Sequence, residues 1–116
     1  MKSRFAVGSV LGFGLTCAAL SFSNPALAFD EAAAKALAKK NDCTKCHAVD
    51  KDKKATSYKK IAAKYKGKPD GEAKVIKNIT VASKVKLTDG TEEEHKVIDT
   101  KDPKALANIA QWILAQ

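Results

Sequence analysis

Four stretches of the chain place their apolar residues at helical spacing. From Glu31 to Lys40 the sequence is alanine-rich; Ala33, Ala34, Leu37 and Ala38 mark one stripe, and Asp30 is placed to cap it. From Ser57 to Lys66, Tyr58, Ile61, Ala62 and Tyr65 fall at i, i+3, i+4 and i+7, and Gly67 offers a stop. A third segment begins after Asp70, with Ala73, Ile76 and Thr80 on one face and Val75 and Ile79 beside it. The last has Asp102 as cap and Pro103 at its first position. Its expected buried face is Leu106, Ile109, Ala110 and Ile113, flanked by Trp112 and Leu114.

Two regions break this pattern. Between the third and fourth helices, Lys84 to Lys101 is polar, with Val85 and Leu87 alternating with lysines and Asp89-Gly90 as a turn. A short hairpin or extended segment fits there, and structureless runs of this length are often functional. The other region is the start of the chain. Lys2 and Arg4 are followed by an apolar or small run from Phe5 to Leu20, and Pro25-Ala26-Leu27-Ala28 ends in a small-x-small site. That is the form of a cleaved secretory signal peptide over residues 1–28. The run is short for a spanning helix, which needs roughly 20 residues, and Gly14-Leu15-Thr16 ahead of Cys17 is a poor lipidation match.

Cleavage after Ala28 leaves a single domain, 29–116, too short to build a generous core from side chains alone. Lys2 and Arg4 leave with the leader. Of the 21 basic residues 19 remain, all lysine, against 13 acidic ones, a formal charge of +6. Such a charge suits nucleic acid, acidic membranes or acidic proteins. No nucleic-acid motif is present, and export argues against one. Loss of Cys17 leaves two cysteines, and these carry the chemistry.

Cys43-Thr44-Lys45-Cys46-His47 is a C-x-x-C-H pattern, the attachment site of a c-type haem. Two thiols one helical turn apart can each add to a haem vinyl group, and the following imidazole then faces the iron. A thioredoxin-like site would need a βαβ context, and a zinc site would need further ligands close by. One covalently attached haem c is therefore expected, and it would supply apolar mass that the short chain lacks.

With Ala36-Leu37-Ala38-Lys39-Lys40-Asn41-Asp42 before the motif, Tyr58-Lys59-Lys60-Ile61-Ala62-Ala63-Lys64-Tyr65-Lys66-Gly67 after it and Ala110-Gln111-Trp112-Ile113-Leu114 at the end, the chain resembles the small monohaem class I cytochromes c of bacteria. The resemblance covers essentially all of 29–116. It implies an all-α fold of about four helices around one haem, with the first and last helices crossing, and an electron carrier rather than an enzyme. Two departures stand out. The family's Gly-Pro, whose proline carbonyl holds the proximal imidazole, is replaced by Ala55-Thr56. The family's distal ligand is methionine, and the sequence has only Met1. Where that methionine would lie, 17 positions before Trp112, stands His95.

Bis-histidine ligation by His47 and His95 is thus expected, with Lys96 or an open position as alternatives. A second imidazole in place of a thioether favours ferric iron, so a low potential is expected. Any of Glu92, Glu93 and Glu94 lying near the haem would add to that effect. The functional expectation is a monomeric periplasmic electron carrier with no membrane span, whose lysines steer it to acidic redox partners. A gas-binding protein in which His95 detaches, or an electron-delivering subunit of a larger enzyme, are the other readings.

Overall fold

A computed structural model describes residues 29–116; the expected leader, with Met1 and Cys17, lies outside the described residues. The order of elements is α1 (Glu31–Lys40), α2 (Cys43–Cys46), α3 (Tyr58–Tyr65), α4 (Gly71–Thr80), β1 (Lys84–Lys86), β2 (Glu92–Glu94) and α5 (Pro103–Leu114). The four expected helices are present. A fifth helical segment is α2, the single turn that carries Cys43 and Cys46.

Asp30 and Asp102 cap their helices as the sequence assigns, and Ser57, expected as the first residue of the second helix, is the cap of α3 instead. Asp30 accepts from the Ala33 N–H at 3.0 Å, Ser57 from the Lys60 N–H, and Asp102 from the Lys104 N–H at 3.0 Å. Each satisfies a donor left without an intrahelical partner. Gly67, at φ +74°, follows α3 in the left-handed region that glycine enters without cost.

Helix α5 is the centre of the packing, because α1, α3 and α4 all lie against it. Its buried face is Leu106, Ile109, Ala110 and Ile113, as expected, and Trp112 joins them at 3 % exposure. The Trp112 ring meets Tyr58 edge-on, with centroids 5.1 Å apart. At the other end, Asn108 ties α5 to the start of α1. It accepts from the Asp30 N–H at 2.6 Å and donates to the Asp30 carbonyl at 2.8 Å.

Two expected faces are corrected. On α1 the buried residues are Ala34 and Ala38, with Leu37 partly covered, and Ala33 is exposed. On α4 the buried stripe is Gly71, Val75 and Ile79, while Ala73 points to solvent and Ile76 and Thr80 are half-buried. Gly71 explains the rotation. A Cβ there would sit 2.2 Å from the Tyr65 carbonyl oxygen, so this side of α4 must press against the end of α3. Thr80 spends its hydroxyl on the Ile76 carbonyl at 2.7 Å rather than on packing.

The polar stretch forms an antiparallel hairpin, with Lys84 opposite Glu94, Val85 opposite Glu93 and Lys86 opposite Glu92. Unlike charges facing each other across a two-strand ladder favour this register. All three glutamates are exposed.

Replacing Trp112 with Ala is expected to cost about 3–5 kcal/mol, the range for removing a large buried aromatic. Denaturant unfolding of the holoprotein checks it, and a loss under about 1 kcal/mol would contradict the packing.

Candidate functional site

Helices α3, α4 and α5 do not close over one another. Between them and the hairpin lies an open-sided cavity of about 570 Å³. Its floor is apolar, with Ile61, Val75, Ile79, Ile98, Ile109 and Ile113, and both histidines of the chain line it together with Cys43. Cys46 shares the α2 turn and is half-buried but does not itself line the cavity. Its volume falls within the range of cofactor pockets, about 300–1,000 Å³.

The proximal side is built by backbone. The Ala55 N–H donates to the Cys46 carbonyl at 3.0 Å and the Tyr58 N–H to the Ala48 carbonyl at 2.9 Å, folding residues 48–57 back over α2. Asp52 closes this loop, accepting from the Ser57 N–H at 2.8 Å and pairing with Lys60 at 2.5 Å. The Thr56 carbonyl is thereby aimed at His47, whose Nδ1 lies 2.6 Å from it. A carbonyl can only accept, so Nδ1 must carry the proton, and Nε2 keeps the lone pair that a metal needs. Sequence left open which carbonyl plays this part. It is the one at the position of the family's proline. The His47 ring also stacks on Tyr58, with centroids 5.4 Å apart and an interplanar angle of 21°.

The distal side is a segment of chain leaving the hairpin. The His95 N–H donates to the Ser83 carbonyl and the Ile98 N–H to the Ile79 carbonyl, both at 2.8 Å. This holds the His95 ring 6.3 Å, centroid to centroid, from that of His47, with the planes at 61°. Its Nδ1 is buried without a hydrogen-bond partner. Burial lowers the pKa of His95, the nearby His47 acts the same way, and the Asn78 backbone opposes them. The neutral ring, the form that binds metals, is favoured. Lys96, the alternative ligand, has its ammonium 3.0 Å from Asp42.

These residues fit a haem. Two imidazoles on opposite sides of one metal, each bonded at about 2 Å, bring their ring centres to roughly 6 Å of each other. Among the described residues no three His, Cys, Asp or Glu side chains gather into an ion site. The two histidines would hold the iron of a group that brings the remaining donors. The apolar floor suits a flat macrocycle, and the Cys43 thiol, its pKa raised by burial, stands at the wall.

Sequence reasoning missed the supports. Ser57 gave one usable signal, since a serine just ahead of the Tyr58 periodicity can cap a helix and puts Thr56 outside α3, while Asp52 gave none. Asn41, which accepts from the Asp99 N–H at 2.7 Å across 58 positions, gave none.

A family model for cytochrome c matches residues 31–116. Among solved structures, the class 1 cytochrome MtoD from Sideroxydans lithotrophicus ES-1 is 54 % identical with a TM-score of 0.72. That match covers 76 % of this chain and 97 % of that one. Nitrosomonas europaea cytochrome c552 is 32 % identical in two forms. The N64Del mutant has a TM-score of 0.56 over 70 % of this chain and 96 % of its own, and the wild type 0.55 over 69 % and 95 %. No curated protein gave a match.

Replacing Asp52 with Ala should lower stability, because the Ser57 N–H loses its acceptor. Asp52→Asn keeps the Oδ1 acceptor and should lose less than half of that; denaturant midpoints of the two holoproteins separate the cases.

Proposed function

The chain belongs to the cytochrome c family, and from that membership we propose that it is a periplasmic carrier of single electrons whose iron is held between His47 and His95. Class membership itself brings a covalently bound haem c, an electron-carrying role rather than an enzymatic one, and export as the general rule. The residue assignments and the low potential are our reading of this chain.

In that reading, Cys43 and Cys46 hold the haem covalently, and His47 and His95 are the axial ligands. The haem supplies the one-electron couple. The protein's part is to hold the two imidazoles, to shield one side of the group with isoleucines and to leave an edge open. The observation that carries the proposal is the pair of rings facing each other 6.3 Å apart across the cavity. Its support is that the His47 tautomer is fixed by Thr56 and that Lys96 is engaged elsewhere.

Two imidazoles favour ferric iron more than an imidazole and a thioether do, so the potential should lie below that of methionine-ligated relatives. Glu92 and Glu94 face lysines and none of the three glutamates lines the cavity, so this expectation rests on the imidazoles alone. Partner choice follows from charge. Lys60, Lys64 and Lys86 line the cavity, and the domain is strongly basic, which favours docking to an acidic redox partner by a monomer. No described helix is long and apolar enough to cross a membrane.

Mass spectrometry of the exported protein should give the 29–116 chain plus one haem that acidified organic solvent does not extract. The Cys43→Ala, Cys46→Ala double variant should yield no stable holoprotein.

The ligation is tested by spectroscopy. The protein should be low-spin in both oxidation states and lack the weak red thioether-to-iron band. His95→Ala should turn the iron high-spin or let it capture water or an added ligand, with the haem still attached. His95→Met should introduce the red band and raise the potential. An unchanged low-spin spectrum in the Ala variant would assign the sixth position to another residue.

A further inference from the structure

The distal segment has no covalent link to the proximal turn except through α4 and α3, yet His95 has to sit at a fixed height above His47. Its backbone anchors to Ser83 and Ile79 belong to the same lobe and would move with it. Three other sets of contacts tie it to the haem-motif side.

At the base of the hairpin, Asn41 stands just before Cys43. Its Nδ2 donates to the Leu37 carbonyl at 2.9 Å, closing the end of α1, and its Oδ1 accepts from the Asp99 N–H at 2.7 Å. Beside it Asp42, at φ +60°, accepts from Lys96 at 3.0 Å and Lys45 at 2.9 Å. These ion pairs are exposed and contribute little individually. At the tip of the hairpin, the Thr88 hydroxyl donates to the Lys53 carbonyl at 2.7 Å and its N–H to the Lys54 carbonyl at 2.9 Å. Lys53 and Lys54 belong to the loop that aims Thr56 at His47.

We infer that Asn41 and Thr88 are positioning residues, two struts that brace the distal segment against the proximal turn and keep His95 within reach of the iron. Neither touches the haem pocket's histidines; each acts by setting the distance between their two lobes. The inference rests on the ligation proposed above. Asn41 has the larger part, since it grips the chain four residues from His95, and Thr88 the smaller, at the far end of the ladder.

Carbon monoxide binding to the reduced holoprotein reads the strut directly, because it requires His95 to leave. Asn41→Ala removes the bond from Asp99 together with the one to Leu37, and loss of the former should raise the detached fraction, and with it the apparent binding rate, by about three- to tenfold. Thr88→Val keeps the side-chain shape, removes the hydroxyl and should give a smaller increase. Asn41→Asp retains the Oδ1 acceptor and should bind close to the wild-type rate. Asn108→Ala removes a similar pair of bonds between α1 and α5, far from the distal segment. It should lower the melting temperature without changing the binding rate.

Wild-type binding rates in both strut variants, with fast binding in His95→Ala, would overturn the inference and leave the ligation standing. An equal rise in Asn108→Ala would overturn it too, as general loosening. Slow binding in His95→Ala would instead refute the ligation, and the inference with it. Thr88→Val, at an exposed position, keeps the test decisive if Asn41→Ala yields too little holoprotein.

Discussion

The whole arrangement depends on a space the chain does not fill. The cavity of about 570 Å³ is open-sided, and its apolar wall is surface that a small domain gains stability by covering. The isoleucines of α3, α4 and α5 that line it are therefore half a core, and the haem of this family is the other half. That is why a domain of this size can work with so few large side chains on α1, where alanines alone are buried. Small residues there let α1 lie close to α5, while Ile109 and Ile113 of α5 line the cavity.

The two walls of that space are made differently. The proximal wall is stiff: α2, the Asp52-closed loop and the Ser57 cap are stitched by backbone bonds, and they converge on the Thr56 carbonyl. The distal wall is a hairpin of two three-residue strands and the segment after it. So short a ladder is marginal by itself. It holds its place by bonds at its ends, to Ser83 and Ile79 on one lobe and to Asn41 and Lys53–Lys54 on the other. Replacement of the family's proline by Thr56 changes little on the proximal side, because the bond to His47 uses a main-chain atom and any residue can supply it.

That distinction explains what could be read from the sequence. C-x-x-C-H and the i, i+3, i+4 pattern of α5 are local signals: the first falls on the single turn α2 and the second on the buried face of α5. Val75 and Ile79 were visible, but the α4 face was set by Gly71, whose message is the absence of a side chain against Tyr65. Ala33 could not be told from Ala34 because alanine carries almost no facial preference. His95 was legible only through what was missing, a methionine. The Thr56 carbonyl, the Asn41–Asp99 bond and the Asp42–Lys96 pair were not legible at all. The first belongs to the main chain, and the others join residues more than fifty positions apart.

Under the proposed ligation, the contrast between walls bears on the chemistry. An electron carrier works best when its ligands move little between oxidation states, and a stiff proximal wall secures that for His47. His95 depends on a light hairpin, held by the bond of its own N–H to Ser83 and by the bonds at the hairpin's ends. The distal bond is therefore the one more exposed to motion of the chain. Any loosening of it on a change of oxidation state would slow electron transfer, and the contacts at the two ends of the hairpin oppose that loosening.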